Sequence, residues 1–186
     1  AAGQVPDDPL DPGNTLYAMN GLLSGTIVPT GCRSSWCARS PLTGIWGESN
    51  MGGHWGAELC FAGYDGLVIK GAAAAPVYLW IDGQAGRVEL RDARPLWGLD
   101  QFAAHEQIRS ATDPRAQVAS IGPAGERLVR FAAILQGGAE HTRAAGRTGM
   151  GAVMGSKRLK AIAVRGNQRP DYPDPDRLRG LVKRMN

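Results

Sequence analysis

The residues best suited to chemistry form a loop rich in glycine and arginine near the C-terminal end of the chain. The stretch GRTGMGAVMGSKRLKAIAVRG, residues 146–166, holds five glycines. Glycine lets the backbone approach a ligand closely, and successive backbone N–H groups can then point at phosphate oxygens. Arg143 and Arg147 flank this loop, and each could donate two hydrogen bonds to a phosphate or a ring carbonyl. The pattern predicts an anion-binding loop, with a purely structural cluster of turns as the alternative.

Neither common nucleotide-binding template fits the loop. A P-loop needs a lysine directly after its second glycine, but Lys157 follows Gly155 one residue late. A dinucleotide fingerprint needs G-x-G-x-x-G and then a helix. Gly149 and Gly151 supply the first pair, but the third glycine again comes one residue late, and a strand is expected soon after it. The ligand class therefore stays open at this point.

The three histidines form no recognisable catalytic set. His54, His105 and His141 stand far apart, and no Ser-His-Asp or Cys-His spacing accompanies them. His141 lies close to Arg143, beside the predicted loop. His105 falls in a predicted amphipathic helix, where we expect it at the surface.

The cysteines indicate a reducing compartment. Cys32, Cys37 and Cys60 are an odd number, which argues against a disulfide framework. Their spacing is not typical of zinc or iron–sulfur sites, so we expect half-buried thiols. No run of about 18 apolar residues is present, so no transmembrane helix is predicted. Together these features favour a cytoplasmic location.

The elements that must position the loop are short, since Gly 26 and Pro 12 in 186 residues predict many turns. Strands and helices are mixed without a βαβ rhythm, so the predicted class is α+β. The predicted elements, in chain order, are two short strands in 16–30, a long loop over 31–56, a helix over 57–63, a strand over 67–71, a hairpin over 76–93, a helix over 98–110, a strand over 117–123, a strand or helix over 126–135, a second long loop over 136–150, a strand over 159–164, and a last helix from 176 after a linker.

A repeat within the sequence predicts a duplicated structure. GAELCFAGYDGLVIKG (56–71) aligns with GAVMGSKRLKAIAVRG (151–166), and each segment follows a glycine-rich loop. A duplication would place the two loops at equivalent edges, so that a ligand of two-fold character could sit between them. Asn50 in the first loop could then form an Asx turn or offer a carbonyl oxygen to a cation.

The charge is unevenly placed. The net charge is +4, yet residues 140–186 hold eleven Lys and Arg against four acidic residues. A basic region of this kind favours an anionic partner, although residues 177–184 suit a solvated surface better. None of the five tryptophans lies in the basic part, which argues against nucleic-acid binding.

Six stretches are longer and more specific than any of these local patterns. They are SPLTG (40–44), GESNMGGHWGAELCFAGYDGLVIKG (47–71), PVYLWI (76–81), ELRDARPLWG (89–98), SIGPAGERLVRFAAIL (120–135) and RAAGRTGMGAVMGSKRLKAIAVRG (143–166). In order and spacing, over residues 11–166, they resemble the N-terminal domain of the aldehyde ferredoxin oxidoreductase family, the tungsten bis-pterin enzymes.

The resemblance implies an α+β domain with an internal pseudo-two-fold duplication that forms the base for a metal cofactor. Two pyranopterin dithiolenes would hold tungsten, or molybdenum in some relatives, with their phosphates bridged by Mg²⁺. The backbone carbonyls of Asn50 and Ala144 would ligate that Mg²⁺. The remaining cofactor contacts would come from Arg33, Gly52, Arg143, Gly146 and Arg147.

The resemblance also implies what lies outside this chain. Residues 1–168 would be the cofactor-binding domain without the family's opening segment, and residues 169–186 a linker and the start of the next helical domain. The cysteines that bind a four-iron–four-sulfur (4Fe-4S) cluster, and the catalytic groups, would belong to later domains. This fragment alone would then be inactive. His54 and Trp55 replace the family's usual aromatic pair, which places His54 near the cofactor.

The parent enzyme would oxidise a small aldehyde to a carboxylic acid and pass electrons through the cluster to ferredoxin. Two alternatives stay open. One is a relative in the same family that acts on another substrate, for example by reducing an aromatic acyl-CoA. The other is a non-catalytic module that binds a phosphate or nucleotide.

Overall fold

A four-stranded and a six-stranded sheet form the framework of the protein, of which the computed structural model describes residues 6–139 and 141–185. The first sheet has the order β3-β2-β1-β4, and the second the order β6-β5-β10-β7-β8-β9. The strands are β1 (Leu16–Asn20), β2 (Ser34–Arg39), β3 (Trp46–Met51), β4 (Gly66–Ile69), β5 (Val77–Asp82), β6 (Arg87–Asp92), β7 (Gln117–Ser120), β8 (Ile134–Gln136), β9 (Arg143–Ala145) and β10 (Leu159–Arg165).

The helices are short, and most of them connect strands. They are α1 (Trp55–Phe61), α2 (Gln101–Ala111), α3 (Pro123–Glu126), α4 (Met150–Ser156) and α5 (Pro175–Met185), with a 3-10 turn over Arg94–Leu96. The Asp100 side chain caps α2 by accepting a hydrogen bond from the Ala103 N–H at 2.8 Å. In the part of the chain that the structure describes, no helix has the length and apolar character needed to cross a membrane. The predicted α+β class is confirmed.

The chain contains the same supersecondary unit twice. In the first unit β1, β2 and β3 form an antiparallel meander, α1 follows, and β4 returns beside β1. In the second unit β7, β8 and β9 form the meander, α4 follows, and β10 returns beside β7. Both connecting helices have seven residues and coincide in the alignment of 56–71 with 151–166. The predicted duplication is confirmed, and the β5–β6 hairpin extends the second unit.

The main core joins the two units. Trp36 of β2 packs against Trp55 of α1 with ring centroids 4.9 Å apart, and both side chains are fully buried. The Trp55 indole N–H donates to the Ile162 carbonyl of β10 at 3.0 Å. Met150 and Met154 of α4 complete the same cluster. Burial of these large side chains from both units fixes the two sheets against each other.

The predicted loop over 31–56 is wrong, because β2 and β3 lie within it. Their inward-facing residues alternate along each strand, as a half-buried strand requires. In β3 these inward residues are Gly47, Ser49 and Met51. Because two of the three are not large hydrophobic residues, the period of two is hidden in the sequence. The second strand predicted in 16–30 is also wrong, since turns follow β1 and Thr30 has a φ of 62°.

The segment 126–135 forms neither the predicted strand nor the predicted helix over most of its length. It contains the last residue of α3, a series of turns with Leu128 at a φ of 59°, and the start of β8. The second loop is interrupted by β9, and α4 was not predicted. Gly151 lets α4 pack closely on this segment, since a Cβ there would lie 2.4 Å from the Ala133 carbonyl oxygen. Gly155 does the same toward Gly125 of α3, whose carbonyl oxygen would lie 2.0 Å from a Cβ on Gly155. This tertiary packing outweighs the low helix propensity of glycine.

The predicted strands over 67–71, 117–123 and 159–164, the hairpin, and the helices over 57–63 and 98–110 and from residue 176 are confirmed within a few residues at each end. Gly63, with a φ of 90°, follows the end of α1 as a glycine C-cap does. Helix α5 contributes no buried residue. The basic region is only partly at the surface, since Lys157 and Lys160 are buried.

Candidate cofactor site

The site is built on two equivalent loops, one in each unit. The first loop, residues 52–54, leads from β3 into α1, and the second loop, residues 146–149, leads from β9 into α4. Strands β3 and β9 are edge strands of their sheets, so backbone groups on their outer edges have no neighbouring strand to engage. His54 and Gly149 occupy the same position, immediately before their helices.

Hydrogen bonds hold the two loops together across the units. The Arg147 N–H in the second loop donates to the Ser49 hydroxyl of β3 at 3.0 Å. The Ser40 hydroxyl donates to the Thr148 carbonyl at 2.8 Å. The buried Gln136 amide of β8 donates to the Gly52 carbonyl of the first loop at 3.2 Å. The loops therefore form one rigid surface.

The glycines in these loops have different roles. Gly149 has a φ of 74°, and a Cβ there would lie 1.9 Å from the Arg130 carbonyl oxygen, so the fold requires glycine. Gly52 and Gly146 have no such requirement. A Cβ on Gly52 would meet nothing within 4 Å, and one on Gly146 would meet only the Ala144 side chain, at 3.8 Å. Both glycines directly follow their edge strands. The space above them is therefore open, as close approach of a ligand would need.

Four of the predicted site residues line a single pocket. Arg33, Gly52, His54 and Arg143 surround a space of about 400 Å³, together with Thr30, Cys32, Gly53 and His141. Among the residues that the structure describes, no Asp or Glu lines this space, which we call the arginine pocket. Arg33 and Arg143 are both exposed. Two guanidinium groups in its lining make the pocket suited to an anionic ligand.

The other predicted site residues lie on the edge strands β3 and β9 and in the second loop. Asn50 and Ala144 are the penultimate residues of β3 and β9, so the duplication makes them equivalent. The Asn50 side-chain amide donates to Glu48 at 3.0 Å and accepts from Ser35 at 3.3 Å. The group of Asn50 to consider for a cation is therefore its backbone carbonyl. Gly146 and Arg147 are exposed in the second loop.

Side-chain metal ligands are not gathered at this site. Within residues 6–139 and 141–185, no group of three His, Cys, Asp or Glu side chains is arranged to hold a metal ion. The three cysteines are free thiols of intermediate exposure, as predicted. Burial raises the pKa of Cys60, and it also raises that of Cys37, where the Glu48 charge adds to the effect. A divalent cation here would depend on backbone carbonyls and ligand oxygens, which Mg²⁺ accepts.

His105 was predicted at the surface, and this prediction is wrong. Its side chain is only 3% exposed, because the buried face of α2 consists of Gln101, Ala104, His105 and Ile108. That spacing places His105 on the helix face toward the core, and it was visible in the sequence. Burial and the Arg109 charge lower the pKa of His105, while the Glu106 carboxylate opposes them.

Comparisons with known proteins agree with the geometry. A sequence model of the N-terminal domain of aldehyde ferredoxin oxidoreductase matches residues 2–166. The tungsten-containing aldehyde ferredoxin oxidoreductase of Pyrococcus furiosus is 47% identical over 177 residues, which are 95% of this chain and 28% of that protein. The aliphatic sulfonate oxidoreductase, WOR-like subunit, of the same organism is 37% identical over 190 residues, 95% of this chain and 29% of that protein. The chain thus spans less than a third of the length of these relatives.

A solved structure shares the fold. It is the active site complex BamBC of benzoyl coenzyme A reductase in complex with 1,5-dienoyl-CoA. The match has a TM-score of 0.88 and 41% sequence identity, and it covers 94% of this chain and 26% of that one. At this identity the whole arrangement of sheets and loops is comparable.

Proposed function

Because this chain belongs to the aldehyde ferredoxin oxidoreductase family and matches its N-terminal domain, we propose that it binds the tungsten bis-pterin cofactor of a larger oxidoreductase. The observation that supports this most strongly is the pair of equivalent loops with open glycines at Gly52 and Gly146. A ligand with two similar halves suits such a surface, since each half then meets an open glycine at the end of an edge strand.

The residues present fit this group. Each of the two pterins carries a phosphate, and phosphates favour backbone N–H groups and arginine forks. Arg33 and Arg143 line the pocket, and Arg147 lies exposed in the second loop. We assign contacts with the pterin rings and phosphates to these arginines and to Gly52 and Gly146.

A magnesium ion would be held by one residue from each unit. We assign its protein ligands to the backbone carbonyls of Asn50 and Ala144, which occupy equivalent positions in β3 and β9. Neutral carbonyl oxygens are suitable ligands for Mg²⁺, and the pterin phosphates would supply the negative charge.

This domain positions the cofactor and sets its electrostatic surroundings, while the cofactor supplies the two-electron chemistry. The arginines bind and orient the anionic groups. The hydrogen bonds from Gln136 to Gly52 and from Arg147 to Ser49 hold the loops rigid. His54 lies in the wall of the arginine pocket, where it can donate or accept a hydrogen bond.

For the parent enzyme we propose oxidation of a small aldehyde by water to a carboxylic acid, with release of two protons and two electrons. The electrons would leave through a 4Fe-4S cluster in the other domains and reach ferredoxin. This proposal follows from the similarity to tungsten-containing aldehyde ferredoxin oxidoreductases that are 46–47% identical.

A second reaction is favoured by one specific observation. The benzoyl coenzyme A reductase complex matches this chain with a TM-score of 0.88 at 41% identity. Reduction of an aromatic acyl-CoA by the parent protein is therefore the alternative, with the same cofactor on the same domain. The two reactions differ in the substrate pocket, most of which lies outside this chain.

The test is to express the complete parent protein, purify it without oxygen, and measure tungsten, molybdenum, magnesium, iron and pterin. We expect bound tungsten or molybdenum with pterin and magnesium. A well-folded product that contains neither metal nor pterin would refute the cofactor proposal. Assays with aldehydes and ferredoxin, and in parallel with aromatic acyl-CoA esters, then separate the two reactions.

A further inference from the structure

A second and smaller cavity adjoins the arginine pocket. It has a volume of about 160 Å³, and all three histidines of the chain line it: His54, His105 and His141. His54 and His141 also line the arginine pocket, so the two spaces share part of their wall. We call the smaller space the histidine cavity. The remaining lining comes from Arg109, Ala116, Gln117, Gln136, Gly137 and Gly138.

Several polar atoms around the histidine cavity lack a protein partner. Among the residues that the structure describes, His105 Nδ1, Gln136 Oε1 and Arg109 Nε are buried atoms without a hydrogen bond. His105 is 3% exposed and Gln136 is 1% exposed. A buried polar group left unsatisfied costs about 1–3 kcal/mol, so such groups are usually satisfied by ordered water.

The cavity can accommodate that water. One molecule takes about 30 Å³ in the liquid, and a buried water needs two to four polar partners. The volume of about 160 Å³ leaves room for a short chain of molecules. His105, Gln136 and Arg109 line the space, and their unsatisfied atoms are available as donors and acceptors.

Both candidate reactions move protons. Oxidation of an aldehyde by water releases two protons and two electrons. Reduction of the aromatic ring of an acyl-CoA takes up two protons and two electrons. We infer that the histidine cavity is a hydrated path for protons between the arginine pocket and solvent, with His105 as its relay. The use of this path rests on the proposed function. The hydration of the cavity rests on the structure alone.

His105 has the properties that a relay needs. A neutral imidazole accepts a proton on one nitrogen and releases another from its second nitrogen, so its charge is unchanged and no electron moves, but its tautomer is exchanged. The ring must rotate or exchange protons with the cavity water before the next transfer. Nδ1 of His105 has no protein partner, and Nε2 lies 3.5 Å from Arg109 Nη1. The lowered pKa keeps His105 neutral near pH 7. The charged groups near it are Arg109 and Glu106 of its own helix, and His54 and His141 face the same space from the loops. The half-exposed Gln117 lies at the side toward solvent.

The first experiment measures hydration without reference to activity. Deuterium exchange at the imidazole C2 position, followed by mass spectrometry, reports each histidine of the complete parent protein. We expect His105 to exchange at a rate close to that of the same histidine in the unfolded protein, despite its burial. Exchange slower by several orders of magnitude would show a dry cavity that opens only on unfolding, and would refute the inference.

The second experiment tests proton transfer in the cofactor-loaded parent enzyme. His105→Gln keeps a polar side chain but removes the second ring nitrogen. We expect unchanged tungsten, pterin and KM, a fall in kcat of about tenfold to a hundredfold, and a larger solvent isotope effect. Added imidazole should restore kcat in His105→Ala. Gln107→Asn, on the exposed side of α2, is the matched control and should behave as the wild type.

The outcomes separate the two proposals. A wild-type parent without metal or pterin refutes the proposed function, while the exchange rate of His105 still decides whether the cavity is hydrated. A loaded His105→Gln enzyme with wild-type kcat, pH profile and isotope effect refutes the relay.

Discussion

Gly52 and Gly146 are equivalent residues: each directly follows the edge strand of its unit, and each has open space where a Cβ would lie. The fold needs glycine at neither position, since both have ordinary backbone angles. This relationship separates Gly52 and Gly146 from neighbouring glycines, such as Gly149, that the fold requires.

The first prediction concerns these two glycines in the complete parent protein. Gly52→Ala and Gly146→Ala should each leave thermal unfolding of the cofactor-free protein unchanged but lower the content of tungsten and pterin. Added bulk in a close contact costs about 1–3 kcal/mol, which weakens binding by about fivefold to a hundredfold. Metal and pterin analysis provides the measurement. Gly122→Ala is the matched control, because a Cβ there also meets nothing within 4 Å. Full cofactor content in both loop variants would contradict the assignment.

The second prediction concerns a glycine that the fold requires. Gly155→Ala should destabilise the protein by about 1–3 kcal/mol or more, because its Cβ would lie 2.0 Å from the Gly125 carbonyl oxygen. Backbone atoms, unlike the end of a flexible side chain, cannot move aside cheaply. Thermal unfolding and amide hydrogen exchange in α4 measure the effect, again with Gly122→Ala as the control. Unchanged exchange in α4 would show that the contact can relax.

The third prediction concerns the buried ion pair of Lys160 and Glu126. Both side chains are almost fully buried, Lys160 also donates to the Leu99 carbonyl at 2.8 Å, and Glu126 accepts from the Gly98 N–H at 2.8 Å. Glu126→Gln leaves a buried lysine without its counter-charge, so we expect a loss of about 3–5 kcal/mol.

A double-mutant cycle tests that pair. Lys160→Met combined with Glu126→Gln should cost less than the sum of the two single changes, because neither buried charge is then left alone. Denaturant unfolding of each variant provides the free energies. Additive losses would show that the two residues act independently.

The fourth prediction is a pH dependence caused by His105. Its pKa is lowered in the folded protein, so below about pH 6.5 the unfolded chain binds more protons than the folded one. The stability is therefore complete above pH 6.5 and falls as the pH decreases toward the folded pKa. Thermal unfolding of the wild type and of His105→Gln from pH 8 to pH 5 measures it. The variant should show a flatter profile, and equal slopes would contradict the prediction.

The sequence was informative where a pattern repeats and misleading where packing decides. The duplication could be predicted because the segments 56–71 and 151–166 carry the same apolar and glycine positions. Strands β2 and β3 were missed because serine, glycine and alanine face inward in them. Helix α4 was missed because its glycines are chosen for contact with residues 125–133 rather than for helix propensity.

The residues of the site could likewise be predicted only in part. The resemblance to the family indicated Arg33, Gly52, His54 and Arg143, and the structure places them around one pocket. Their contacts with a cofactor stay a prediction. His105 and Gln136 were not found, because the cavity that they line forms only when α2, β8 and the loops around residues 54 and 141 come together. The burial of His105 itself was readable from its helix spacing.

The duplication affects how the first loop and the second loop can change in sequence. If two copies of a single unit paired instead, the two loops would be identical, and every substitution would appear in both. When both units belong to one chain, each loop can change without the other. The first loop carries the exposed His54, while Gly149 at the same position of the second loop must be glycine because of the Arg130 carbonyl oxygen. A fused chain can therefore present different side chains at equivalent positions of its two loops.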